Sequence, residues 1–273
     1  MVAPIPLEDT VADILGKAQR GLSLSDEALA NRAGVPVGSI ASLKKGALVE
    51  KDLFKIATTL GLGAQALSDL ASGHYLPEPI TPPEGLACFN TTFHDIMVNS
   101  YLVWDPLTRE AAFFDTGADG DPMLEFAAAQ DLRVNQLFIT HVHGDHVYDL
   151  DRLVEKTGAR ARVCKRELIE GAEPFSPGDT FAIGNLTVET RRTSGHAVGG
   201  ITYVVKGLSR LLALVGDAMF AGSMGGGVVS YAEALQTNRE EILTLPDETI
   251  LCPGHGPLTT VGEQKRANPF FAA

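Results

Sequence analysis

The chain has 273 residues, a formal net charge of −12 and 45% hydrophobic residues, enough for one large domain and a small one. The acidic balance argues against nucleic acid as a partner of the larger part, and no apolar run approaches the ~20 residues of a membrane helix. The first residues lack the features of a signal peptide, and the three widely spaced cysteines give no disulfide framework. We therefore expect a cytoplasmic protein with no membrane partner.

Residues 1–73 are predicted to form a small all-helical domain. An apolar stripe at helical spacing opens it, formed by Leu7, Val11, Ile14 and Leu15. Ser25 can cap a second helix, which Gly34 ends. Further helices are predicted at 37–45, 52–60 and 64–72, each followed by a glycine.

Residues 74–85 contain four prolines and are predicted to be a stiff, extended linker. From residue 86 the pattern changes to strands, which opens a second domain at 86–273. A hairpin is predicted at 99–104 and 110–114, and a helix at 122–130. His94, in the loop before the hairpin, is expected at the surface, although it could overhang a site.

The densest cluster of chemically active side chains lies at His141, His143, Asp145 and His146. It stands between a predicted buried strand, 137–140, and a predicted helix, 146–156. In an extended loop His141 and His143 point the same way, because side chains alternate with period two. Such a convergence is costly without a cation, because a buried charge needs a partner or a metal.

Three further polar residues follow apolar, strand-like runs in the same way. His196 follows the run 186–190, Asp217 follows 211–215, and His255 follows 249–252. Each lies in a turn that contains glycine, where a rigid sheet can hold a side chain on a short loop. Cys252 precedes His255 closely, but we expect it to be a small buried residue rather than a ligand.

The order H-x-H-x-D-H, then a distant His, Asp and His, resembles the signature of metallo-β-lactamase-fold hydrolases. All seven positions are present, namely His141, His143, Asp145, His146, His196, Asp217 and His255. The resemblance implies an α+β fold, an αββα sandwich, here with a small all-α N-terminal domain. Within that superfamily, residues 193–196, 216–223 and 253–257 look like the short glyoxalase II-like enzymes.

The resemblance also implies how these residues share two divalent metal ions. His141, His143 and His196 would hold one ion, Asp145, His146 and His255 the second, and Asp217 would bridge them. Zinc is the first choice, and iron or manganese is compatible with imidazole and carboxylate ligands. Asp145 would be catalytic, because it would orient the attacking hydroxide or receive its proton. The substrate would be a small molecule, a thioester or related ester.

Two departures from glyoxalase II weaken the expectation of glutathione as part of the substrate. Full-length members carry a further helical region that helps to bind glutathione, and the sequence after His255 is too short to contain it. Gly226 stands where relatives have a basic residue for the substrate carboxylate. The glycines at 225–227 are compatible with a flexible loop or with a widened pocket.

Residues 24–35 look like the helix-turn-helix of phage-repressor-type domains, with 39–46 in the place of the recognition helix. That segment offers Ser39, Ser42, Lys44 and Lys45, but no Arg, Asn or Gln for base edges. We therefore expect a packing element or a homodimer contact rather than a nucleic-acid partner.

Two other functions remain open. An iron-dependent persulfide dioxygenase would use His141, His196 and Asp217 as a two-His, one-carboxylate triad. A DNA-binding regulator would use the metal domain as a sensor.

Overall fold

The structure, a computed structural model, describes residues 5–47 and 50–272. It begins with five helices, α1 (Val11–Gly21), α2 (Asp26–Ala33), α3 (Val37–Lys44), α4 (Glu50–Leu60) and α5 (Ala64–Ala71). Residues 74–83 form neither helix nor strand. In the described ranges, no helix is both long enough and apolar enough to cross a membrane.

Two mixed six-stranded sheets make up the rest of the fold. The first keeps chain order, β1 (Leu86–Phe93), β2 (Ile96–Trp104), β3 (Glu110–Phe114), β4 (Arg133–Phe138), β5 (Arg160–Cys164) and β6 (Glu173–Phe175). The second also keeps chain order from one edge to the other, β7 (Thr180–Ile183), β8 (Leu186–Arg192), β9 (Ile201–Lys206), β10 (Leu212–Gly216), β11 (Ile250–Pro253) and β12 (Thr259–Thr260). Strands β3–β6 pair in parallel, as do β10 and β11, and the other neighbours are antiparallel.

The two sheets face each other across an aromatic core, and helices cover both outer faces. Phe114 and Phe138 stack with ring centroids 5.1 Å apart, and the Tyr203 hydroxyl beside them donates to the Ile139 carbonyl at 2.7 Å. The outer layer of the first sheet is α6 (Asp121–Ala129), α7 (Gly144–Val147) and α8 (Leu150–Thr157). The outer layer of the second includes a π-helix (Asn238–Ile242) and α10 (Val261–Ala267), while α9 (Tyr231–Thr237) packs in the cluster of the N-terminal helices. This αββα sandwich confirms the predicted fold class.

The N-terminal helices share their hydrophobic core with distant parts of the chain. Leu15 and Leu53, both fully buried, belong to the same cluster as Met224, Tyr231 and Phe270. A backbone bond from the Gly63 amide to the Pro269 carbonyl, 2.7 Å long, closes this contact. The predicted domain limits at 73 and 85 stay predictions, and residues 1–4, 48, 49 and 273 of those domains lie outside the described residues.

Two sequence-based expectations about helices were wrong. Leu7 lies before α1, because Thr10 caps that helix in a capping box with Asp13 and the chain is not yet helical at Leu7. The predicted helix 146–156 is two helices with a break at Tyr148 and Asp149. The second helix begins only after Asp149, whose carboxylate accepts from the Gly120 amide at 2.7 Å and from Arg152.

Candidate metal centre

The candidate site lies where the carboxyl ends of several strands meet. Asp115 follows β3 and His141 follows β4, and these strands run in parallel. Asp217 follows β10 and His255 follows β11, which are also parallel neighbours. Parallel strands present their carboxyl ends at one edge, so the strand pairing brings residues far apart in sequence to one place.

One group of converging side chains contains His141, His143, His196 and Asp217, whose ligand-type atoms all lie within 4.8 Å of one another. Nδ1 of His143 is 3.0 Å from Nε2 of His141 and 3.0 Å from Nε2 of His196. Oδ2 of Asp217 lies 3.4 Å from Nε2 of His196. Three imidazole nitrogens and a carboxylate oxygen thus surround one point.

The second group contains Asp145, His146 and His255, again within 4.8 Å of one another. Oδ2 of Asp145 is 3.2 Å from Nε2 of His255 and 3.5 Å from Nε2 of His146. Asp217 reaches this group too, with Oδ1 3.3 Å from Nε2 of His146 and Oδ2 3.5 Å from Nε2 of His255. All seven predicted residues are therefore brought together, and Asp217 lies between the two groups.

Two atoms of the site test whether these residues fit a metal. Nε2 of His146 and Oδ1 of Asp217 are buried, and neither has a hydrogen-bond partner among the described residues. Buried polar atoms are nearly always paired, so this pair calls for a missing partner, and a cation would serve both. A Cβ at Gly254 would overlap Asp217 Oδ1 and lie 2.6 Å from Cε1 of His146. The chain keeps this side of the site free of side-chain atoms.

In four of the histidines, the ring nitrogen that faces away from the centre, Nδ1, has a hydrogen-bond partner. Carbonyl oxygens accept from Nδ1 of His255 and of His196, at Met97 (2.6 Å) and Gly226 (3.0 Å) respectively. Nδ1 of His141 lies 3.1 Å from the Thr140 hydroxyl. Such partners fix the ring orientation and, where the partner only accepts, leave the other nitrogen with a lone pair for a metal.

Asp115 holds the fourth histidine, and sequence reasoning missed it. Its Oδ2 accepts from Nδ1 of His146 at 2.8 Å, while Oδ1 accepts from the Thr140 amide at 2.7 Å. The signal was present, because Asp115 follows an apolar strand and has a glycine within two residues, as Asp217 does. From the sequence alone, Asp-Thr-Gly at 115–117 indicates only the end of the predicted hairpin.

The electrostatics divide the site into two halves. Burial lowers the pKa of His141 and of His196, so these rings are neutral. Burial opposes charge on His146 too, but the carboxylates of Asp115 and Asp217 raise its pKa to about 10. Asp217, with Asp145, likewise raises the pKa of His255 to about 11 against its burial.

Asp217 itself stays ionised. Its burial favours the neutral form, yet the imidazoles of His146 and His255 hold its pKa well below its usual range. A cation in the second group would replace the protons on those two rings as the partner of this carboxylate.

The three glycines at 225–227 have different surroundings. A Cβ at Gly225 would overlap the Asp217 carbonyl, and one at Gly227 would overlap Tyr231. A Cβ at Gly226 would meet only Val228, at 3.8 Å. The outer two glycines are therefore required by close packing, and the middle one leaves open space beside His196.

Two residues considered from the sequence lie outside both groups. His94 is exposed in the turn between β1 and β2, with its ring 4.5 Å from that of Phe93. Cys252 is fully buried in the core between the sheets, as expected.

The sequence profile of the metallo-beta-lactamase superfamily matches residues 95–255, more than half of the chain. The chain therefore belongs to the metallo-beta-lactamase superfamily. The profile ends at His255 and includes every residue of the two groups.

Individual relatives agree with this assignment. A beta-lactamase hydrolase-like protein of Agrobacterium fabrum is 30% identical over 216 residues, which cover 63% of this chain and 49% of that protein. The match thus spans about half of that relative. Hydroxyacylglutathione hydrolase GloC of Haemophilus influenzae is 26% identical over 198 residues, 63% of this chain and 92% of that protein. The crystal structure of ETHE1 from Myxococcus xanthus superposes with a TM-score of 0.59 and 27% identity, over 67% of this chain and 83% of that one.

Proposed function

We propose that this protein is a hydrolase that uses two divalent metal ions to cleave a thioester or a related ester. The observation that carries the proposal is the pair of His/Asp groups that meet at Asp217, with unpaired Nε2 of His146 and Oδ1 of Asp217 between them. Two bound cations would supply a hydroxide at neutral pH and polarise the substrate carbonyl. Zinc is our first choice of metal, with iron and manganese as alternatives.

The chain's own residues have distinct tasks in this proposal. His141, His143 and His196 would hold one ion, His146, His255 and Asp145 would hold the other, and Asp217, which lies between the two groups, would serve both. Asp145 also orients the attacking water or takes its proton, because its carboxylate lies at the inner end of the second group. The leaving thiolate needs little help from an acid, since thiols ionise readily near neutral pH.

We propose that the reaction is glyoxalase II-like but depends little on a glutathione moiety. GloC, a hydroxyacylglutathione hydrolase by name, is 26% identical, which supports the thioester part. Gly226 offers open space and no positive charge for a carboxylate of the thiol. Tyr148 and Val198, each two residues after a histidine of the centre, and Val228, two residues after Gly226, are exposed hydrophobic side chains. These surroundings favour an uncharged thiol group.

The test is a panel of thioesters with one acyl group and several thiols, including glutathione and a short uncharged thiol. We expect kcat/KM to vary less than tenfold across the panel, and Asp145→Asn to lower kcat by at least a hundredfold while the protein stays folded. A strong preference for the glutathione thioester would overturn the substrate proposal. Failure to hydrolyse any thioester or ester would overturn the hydrolase proposal.

An iron-dependent persulfide dioxygenase is the second candidate. Oδ2 of Asp217 lies 3.4 Å from Nε2 of His196 and 3.9 Å from Nε2 of His141, which fits a two-His, one-carboxylate iron site. Oxygen consumption with a persulfide substrate, measured beside thioester hydrolysis, separates the two reactions.

We propose that residues 1–73 act as a packing or dimerisation element rather than as a DNA reader. Lys44, a candidate for contacts with DNA, is paired with Asp26 at 2.7 Å, and the Ser39 hydroxyl donates to Asp52. The exposed side chains of Leu22 and Val37 offer an apolar surface to a second copy. The mass of the intact protein in solution tests the dimer. Retention of a specific duplex at physiological salt would instead support the DNA-binding regulator, the third candidate.

A further inference from the structure

The N-terminal segment lies directly on the loop that carries His255. A Cβ at Gly256 would be 3.3 Å from the Glu8 amide nitrogen and 3.7 Å from the Pro6 carbonyl. Oε2 of Glu8 lies 4.0 Å from Nδ1 of His255. The N-terminal region thus reaches the metal centre through residues that precede its first helix.

A second contact, the Lys17 cluster, consists of Asp9, Lys17, Phe220, Ser223 and the Met224 carbonyl. The Lys17 side chain is 12% exposed and pairs with the Asp9 side chain, which is 7% exposed. It also donates to the Met224 carbonyl at 2.8 Å. The Ser223 hydroxyl donates to the same Asp9 carboxylate. One buried ion pair therefore connects the start of the chain to two consecutive residues of the 217–226 loop.

Phe220 extends the cluster to the second group. The Lys17 ammonium lies 5.1 Å from the centroid of the Phe220 ring. The same ring also makes an edge-to-face contact with the His255 imidazole, at 5.7 Å between centroids. The charge on Lys17 is thus one aromatic ring away from a histidine of the centre.

The loop held by the cluster carries two elements of the metal centre. It begins at Asp217, which lies between the two groups, and ends at Gly226, whose carbonyl holds His196. The Gly225 amide donates to the Asp217 carbonyl at 3.0 Å, which closes the loop on itself. Because the loop is closed, a shift at Ser223 or Met224 moves Asp217 and the carbonyl behind His196 together.

We propose that the Lys17 cluster is a positioning device through which the N-terminal helices set the geometry of the metal centre. A buried ion pair costs desolvation, so its main benefit here is the fixed placement of the loop rather than stability alone. The inference concerns metal binding and holds for a hydrolase and for a dioxygenase alike. It assigns the N-terminal region a function within the site itself.

The experiment compares Lys17→Met and Ser223→Ala with Lys44→Met in the full-length protein. Lys44 is the matched control, because it also pairs with an aspartate of the N-terminal region, Asp26, but makes no contact with the 217–226 loop. Metal affinity is measured by competition with a chelator, using zinc, and the absorption spectrum is recorded with cobalt(II) in its place. Circular dichroism confirms that each variant is folded.

We expect Lys17→Met to lower metal affinity about tenfold or more, as loss of an outer partner of a metal ligand typically does. Ser223→Ala should lower it several-fold, and both should change the cobalt(II) spectrum, whereas Lys44→Met should resemble the unaltered protein. A cluster that only holds the helices in place would lower thermal stability and leave the cobalt(II) spectrum and the affinity unchanged, which would overturn the proposal. If Lys17→Met does not fold, Ser223→Ala decides the question, because it removes one hydroxyl and no charge.

Discussion

Oδ2 of Asp115 lies 2.8 Å from Nδ1 of His146, and neither residue is accessible enough to exchange this partner for water. A carboxylate can only accept, so Nδ1 of His146 keeps its proton, and Nε2 is the nitrogen on which a metal ion would replace the second proton. Asp115 also accepts from the Thr140 amide, so one carboxylate fixes the strand end before the His141 loop and the ring of His146.

Replacing Asp115 with Asn should therefore weaken metal binding without unfolding the protein. The amide of Asn can donate to Nδ1 of His146, which would move the proton to Nε2, towards the metal. We expect a loss of about 10–100-fold in metal affinity by chelator competition. Asp119→Asn is the control, since Asp119 is exposed and pairs with Arg152 at 3.2 Å, away from the centre. Equal affinities for the two variants would contradict the assigned role of Asp115.

Two metal ions should bind per chain. Because Asp217 lies between the two groups, its loss should affect metal binding more than the loss of any single histidine. We expect Asp217→Ala to lose both ions, because this carboxylate lies within 3.5 Å of histidines in both groups. His143→Ala should lose one ion, because its ring belongs to the first group alone. Elemental analysis after metal supplementation measures both. One iron per chain, with no second site, would contradict the prediction and favour the dioxygenase.

Gly226→Arg should raise activity on substrates that carry a carboxylate in the thiol part. The position has open space for a side chain, and an arginine there would supply the charge that Gly226 lacks. We expect kcat/KM for such substrates to rise several-fold while that for uncharged thiols changes little. Gly225→Ala is the steric control and should lose metal binding, because its Cβ would overlap the Asp217 carbonyl. Unchanged selectivity in a folded Gly226→Arg protein would show that the thiol does not lie beside this residue.

Asp105 should contribute stability that depends on pH. It is almost fully buried between two turns and accepts from the Asn185 amide at 2.7 Å and from the Leu107 amide at 2.9 Å. Burial opposes its ionisation, but these hydrogen bonds lower the pKa of its carboxyl below the ordinary value. The charged form is thus favoured by folding, and its contribution is complete above the unfolded pKa of about 4.

We expect Asp105→Asn to lower the free energy of unfolding by about 2–3 kcal/mol at pH 7, measured by denaturant titration. The difference in the free energy of unfolding between the variant and the unaltered protein should stay constant from pH 5 to 8. It should shrink as the pH falls through the pKa of Asp105 in the folded protein. A difference that grew at acid pH would contradict this sign.

The sequence points to the seven residues of the centre because each follows an apolar strand closely, in a short turn or, for Asp145 and His146, in the short helix α7. That pattern is local, so it can be recognised without knowing which strands pair. Asp115 stands in the same local pattern, but its task depends on the parallel pairing of β3 and β4, which its neighbours in sequence do not reveal, and it was missed. The helix predicted at 146–156 is interrupted because the Asp149 carboxylate accepts from the backbone amide of Gly120, just before α6.

The contact between the N-terminal helices and the sandwich could not be predicted from local sequence patterns. Their apolar spacing predicts a buried face, but not that Met224, Tyr231 and Phe270 complete it. The Lys17 cluster was equally hidden, because Asp9 and Ser223 are 214 positions apart in sequence. The hydrophobic pattern of a helix predicts that one of its faces is buried. Which residues cover that face can be read only from the folded structure.

The shared core of α1–α5 with Phe270 has a consequence for how the protein is made. Helices α1–α5 leave the ribosome before the sandwich, yet part of their apolar surface stays uncovered until roughly 200 further residues have been synthesised, about 10–40 s at ordinary rates. During that interval the first helices are a nascent chain with an incomplete core and are exposed to aggregation. A chaperone that binds apolar nascent segments would therefore act on this protein at its beginning, and release would follow the arrival of Phe270.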